Sequence, residues 1–75
     1  MYFPPTYEAA TLTRELVFKH QTGAPSRAKN LIRGSQIRVR YNEHAGRFDA
    51  VATLDGQPMV KQDIPVSAFE WNLSK

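Results

Sequence analysis

Seventy-five residues make one minimal domain, which can bury only about 60% of its unfolded surface and so has a marginal core. The absence of cysteine excludes disulfides and thiolate metal sites together. The formal net charge is +3 and the sequence pI about 9.6, and it is the uneven distribution of that charge along the chain that hints at an anionic partner.

At 41% hydrophobic and 11% aromatic, the chain is globular and not disordered. With covalent and metal staples removed, stability must come from good packing or from self-association as a homodimer. The charge is uneven. Residues 14–47 hold eight cations against two anions, whereas residues 48–75 hold two against four. The opening Met1-Tyr2-Phe3-Pro4-Pro5 lacks the basic and apolar regions of a signal peptide. No run reaches the roughly 18 apolar residues of a membrane span. The cytoplasm is the expected compartment.

Residues 1–6 are expected to form an extended arm, because Pro4-Pro5 excludes helix and favours polyproline II. Thr6 suits an N-cap and Glu8 the positive end of a helix dipole. Ala9, Leu12 and Leu16 recur at helical spacing, Lys19 and His20 suit the C-terminal end, and Gly23 with Pro25 stops the element. These signals predict a helix over residues 7–21. The β-favouring Thr11, Thr13, Val17 and Phe18 keep a strand through residues 12–19 as the alternative. Ser26 predicts a short helical turn over residues 27–33, closed by Gly34.

From residue 36 the period changes to two. Ile37, Val39 and Tyr41 point one way, and Gln36, Arg38, Arg40 and Asn42 the other. A loop at Glu43-His44-Ala45-Gly46 leads to a second strand over residues 47–54. Pairing Asn42 with Arg47 sets Tyr41 against Phe48, Val39 against Ala50 and Ile37 against Ala52 on one side. On the other side Arg40 faces Asp49, an attractive cross-strand pair. A slip of one residue scatters the apolar set, so the register is strongly specified. Asp55-Gly56 signals a tight turn. A third strand is expected over residues 57–64, with Pro58 marking an edge or a strand start. Residues 65–71 fit a short helical turn or the run into a last strand.

The expected fold class is therefore α+β: an N-terminal helix, a connector and a three- to four-stranded antiparallel meander in one domain, residues 1–75. Either these pack as a sandwich or the sheet curls into a small SH3-like barrel. In the barrel, the turn near Pro65 is the short 3₁₀ segment before the last strand.

Catalysis finds little support in the residues. There is no glycine-flanked serine elbow, no pair of carboxylates at productive spacing, and Gly23, Gly34, Gly46 and Gly56 each stand isolated. Glu43 beside His44 lies in a turn, and His20 and His44 are far apart, so neither an enzyme site, a cofactor nor a metal is expected. Binding is the better expectation. Arg38 and Arg40 lie on the solvent face of the first meander strand, Arg33 at its start, Arg47 beside its exit, and Arg27 and Lys29 on the preceding turn. Guanidinium forks suit phosphates and guanine edges, so DNA or RNA is the favoured partner. Tyr41, Tyr2, Phe3 or Tyr7 could add base stacking. Alternating arginines also wet the outer face of ordinary antiparallel sheets. The competing reading is a protein-interaction or inhibitor module, of the kind common among phage and mobile-element products. It would act through Tyr2, Phe3, Tyr7, Phe69 and Trp71 near the chain ends, or through an edge strand.

The stretch Ile37-Arg38-Val39-Arg40-Tyr41-Asn42, with residues 48–54 and Asp55-Gly56-Gln57, resembles the small β-barrel near the C-terminus of Mu-type transposases. That family carries a basic V-x-V-R-Y-[DN] strand followed by a strand ending in an Asp-Gly turn. The resemblance covers about residues 34 to 61 and implies a small barrel. The chain has no integrase core, so it implies no transposase activity.

Overall fold

A computed structural model describes residues 2–21 and 28–72. Among them are seven strands: β1 (Glu8–Leu12), β2 (Leu16–His20), β3 (Lys29–Leu31), β4 (Gln36–Asn42), β5 (Arg47–Leu54), β6 (Gln57–Lys61) and β7 (Phe69–Trp71). A 3₁₀ turn, Val66–Ala68, precedes β7. The strands form one antiparallel sheet in the order β3-β2-β6-β5-β4-β1-β7.

That order forces curvature. Laid flat, β2 and β1 would stand four strand spacings apart, about 19 Å. Only Thr13, Arg14 and Glu15 join them, and the chain from Leu12 to Leu16 spans at most about 14 Å. The sheet must therefore curl until its flanks approach. The bend is clamped by Leu12 N–H to Ser35 O (2.9 Å), Gly34 N–H to Leu12 O (2.9 Å) and Thr13 N–H to Ala68 O (2.9 Å). The curl fits the barrel alternative of the two expected packings, and the 3₁₀ turn before the last strand fits it too.

The N-terminal helix was not found. Residues 7–21 form β1, a bend and β2, and the described part of the expected 27–33 helical turn includes strand β3. The α+β class is thus replaced by a nearly all-β one, with seven strands in place of three or four. The reason lies in burial. Ala10, Leu12 and Phe18 are buried and Leu16 half-buried, a period of two on either side of the bend, whereas the helical pattern's Ala9 is exposed. The spacing of Ala9, Leu12 and Leu16 fits both periods across a break. The β-branched Thr11 and Val17 favour the strand. Thr6 caps no helix, its hydroxyl instead donating to Glu8 Oε2 (3.2 Å).

The meander follows the expected register, with Val39 opposite Ala50, Arg40 opposite Asp49, Tyr41 opposite Phe48 and Asn42 opposite Arg47. Asp55 (φ 51°) and Gly56 (φ 76°) both adopt the left-handed region, the signature of a two-residue hairpin turn matched to sheet twist. Pro58 lies near the start of β6, an interior strand, where its carbonyl accepts from Gln21 N–H (3.1 Å) and its missing N–H costs one ladder bond. β6 stops at Lys61, three residues short of expectation. The chain then turns through Asp63 (φ 57°), and Ile64 N–H bonds Phe48 O (2.8 Å).

The interior is filled by Leu12, Phe18, Ile37, Val39, Met59, Ile64 and Phe69, with Ala10, Ala50, Ala52 and Ala68 where strands approach closely. The N-terminal arm closes one end. Tyr41 N–H donates to Pro4 O (2.7 Å), Tyr2 meets Trp71 edge-on (5.2 Å), and Phe3 stacks on Phe48 (5.7 Å, 14°).

Candidate functional site

The outer face of the meander carries the cations expected to bind. Arg38 and Arg40 point outward from β4, two residues apart and so about 7 Å along the strand. Their neighbours on that face come from the flanking strands: Ala9 of β1 and Val51 of β5 oppose Arg38. These are small or apolar groups, so Arg38 stands clear in solvent.

Asp49 is the acid closest in register to this pair, and it is spoken for. The residue is 7% exposed, on the side where the turn after β6 folds over it. Its Oδ1 accepts from Arg47 Nε (3.0 Å) and Asp63 N–H (3.2 Å), and its Oδ2 from Asn42 Nδ2 (3.2 Å). Desolvation alone would raise this carboxyl. The hydrogen bonds from Asn42, the Asp63 main chain and Arg47, with the Arg47 charge, outweigh it and hold the group below its ordinary value. The expected Arg40–Asp49 ion pair is therefore absent despite the expected register. Arg47–Asp49 is the ion pair found among the described residues.

Arg40 packs elsewhere. Its guanidinium carbon lies 5.0 Å from the centre of the Tyr7 ring, a cation–π contact, and its Nε is buried without a hydrogen-bond partner. Tyr7 thus orients one of the two outward arginines, a role hidden from the sequence because its signals make residue 7 the start of a helix.

The remaining expected site residues divide. Arg33 is exposed in the turn before β4, Arg47 is half-buried and neutralised, and Lys29 is exposed on β3 at the other margin of the sheet. Arg27 lies outside the described residues. The structure brings together Arg38 and Arg40 on one strand face and does not gather the five described residues into one patch.

The aromatic residues of the alternative reading come together. Tyr2, Phe3, Phe69 and Trp71 join Tyr41 and Phe48 in a chain of edge-on and stacked contacts at the arm end of the barrel. Tyr7 stays apart, against Arg40. Tyr2 is 47% and Phe3 53% exposed, while Phe69 is buried. These rings staple the barrel's end, and two of them still face solvent.

Two hollows escaped the sequence. A cleft of about 1070 Å³ opens where β2 leaves β6 beyond Lys19–Val60, with Val17 and Val60 on its walls. Its lining carries Lys19, Lys61 and Arg47 against Glu15 and Asp63, and Arg47 is itself paired with Asp49. It exists because β2 is a strand, so no helical reading could find it. A smaller slot of about 220 Å³ lies between the arm and the end of β4, lined by Phe3, Pro5 and residues 40–44.

No group of three or more potential metal ligands occurs among the described residues, and no helix there is long and apolar enough to cross a membrane. Comparison with protein-family models, curated proteins and solved structures finds no significant match. The site must be judged on its own chemistry.

Proposed function

We propose that this protein is a non-enzymatic module that binds nucleic acid through the outer face of β4, with Arg38 and Arg40 at the centre and Arg33 at its start. One observation carries the reading. The carboxylate opposite Arg40 is sequestered by Arg47, Asn42 and the Asp63 main chain, so the two outward arginines are left uncompensated. Arg38 is exposed and Arg40 half-buried against Tyr7, and guanidinium groups without a carboxylate partner suit phosphate oxygens. Lys29 and Arg47 are peripheral to this surface. Fluorescence anisotropy with short single- and double-stranded DNA and RNA at low salt tests it. Binding that weakens as salt rises agrees with phosphate contact, and no binding removes nucleic acid from consideration.

The half-exposed Tyr2 and Phe3 favour one second reading, a protein-docking surface at the aromatic end of the barrel. On that reading Tyr2→Ala weakens partner capture while the arginine variants leave it unchanged.

A further inference from the structure

We propose that the slot between the N-terminal arm and the end of β4 holds one unpaired nucleobase. The inference rests on the nucleic-acid reading above and names the form of nucleic acid the site would take: a single strand.

The slot is built from two directions. Pro4 is buried, and its carbonyl is fastened to the β4 main chain at Tyr41, which fixes Phe3 and Pro5 on one wall. Arg40, Glu43 and His44 also line the slot. The Phe3 ring stacks on Phe48 and meets Tyr41 edge-on (4.8 Å), yet 53% of the residue remains exposed. A ring fixed by its neighbours and still half exposed at the edge of a hollow is a stacking platform. Arg40 has its guanidinium over Tyr7 and also lines the slot. A base entering there would meet Phe3, Arg40 and the His44 ring, the aromatic and guanidinium surfaces on which unpaired bases stack.

Size and charge sharpen the choice. At about 220 Å³ the hollow is below the roughly 300–1,000 Å³ range of sites for drug-sized ligands, so it accepts one ring system. Glu43 on its rim repels a phosphate and accepts hydrogen bonds from an exocyclic amino group, such as cytosine N4. The backbone would then run over Arg40 and Arg38 while one base turns inward. Duplex bases, stacked and paired, cannot enter without being flipped out.

The test compares short oligodeoxycytidine, the same length of abasic (tetrahydrofuran) phosphodiester and the corresponding duplex, at one low salt concentration. Binding of oligodeoxycytidine about tenfold tighter than the abasic chain is expected, from stacking of a single base. His44→Ala, a change in an exposed loop, and Phe3→Ala should both shrink that difference while leaving the salt slope unaltered. Abasic and base-bearing strands binding equally would overturn the slot and leave the arginine face standing. A preference for duplex would overturn it also. No binding of any of the three would remove both proposals.

Discussion

Asp49 stands directly across the β4–β5 ladder from Arg40, yet its Oδ1 is held 3.0 Å from the Nε of Arg47, two residues along its own strand. Position in a ladder sets which side chains are neighbours, and the surrounding donors decide which of them bond. Here Arg47, Asn42 and the Asp63 N–H together satisfy both carboxylate oxygens, and Arg40 turns to Tyr7. The meander gains a buried polar lock between β4, β5 and the turn after β6. The outer face gains two cations without a local counter-charge.

The lock should register in stability. Asp49→Asn removes the charge that orients Arg47 and leaves part of the network unsatisfied, costing about 1–3 kcal/mol. Chemical denaturation at neutral pH measures it directly, and an unchanged midpoint would sink this account of Asp49.

Acid should act through the same group. The folded Asp49 carboxyl titrates below its unfolded value, so the charged form is favoured by folding. Its contribution is whole above about pH 4, the ordinary carboxylate range, and is lost as pH falls through the lowered folded value. Asp49→Asn should therefore flatten the loss of stability on acidification in that window. A variant as acid-sensitive as the wild-type protein would contradict this.

Phe48 joins the arm to the barrel, touching Phe3, Tyr41, Phe69 and Trp71. Phe48→Ala should cost about 3–5 kcal/mol, near the whole stability of a domain this small. Gly56, at φ 76°, has open space where a methyl group would stand but the wrong backbone hand for one, so Gly56→Ala should cost about 1–2 kcal/mol through strain alone. Thermal melts of the two variants should thus differ in size, and near-equal losses would speak against both explanations.

The legible parts of the fold were those where one face is buried and the turn chemistry is local. The β4–β5 register followed from Val39 and Tyr41 facing Ala50 and Phe48, and Asp55-Gly56 announced the turn between β5 and β6. Residues 7–21 mislead because strands β1 and β2 owe their form to distant partners in β4, β6 and β7. Local spacing of Ala9, Leu12 and Leu16 carries no trace of those partners. The arginines of β4 were found from alternation alone. The Tyr7–Arg40 contact and the Phe3 slot needed the arm's path across β4, which hangs on one bond from Tyr41 to Pro4.

The most direct test of the arginine face is the affinity of wild-type protein and Arg38→Glu for a short single-stranded oligonucleotide across about 50 to 200 mM salt. Three phosphate contacts, from Arg33, Arg38 and Arg40, predict a log–log slope of about −2 for the wild-type protein. Arg38→Glu, an exposed change that should leave the thermal melt in place, should bind far more weakly and with a shallower slope. Equal affinities and equal slopes for the two folded proteins would contradict the assignment of β4 as the binding surface.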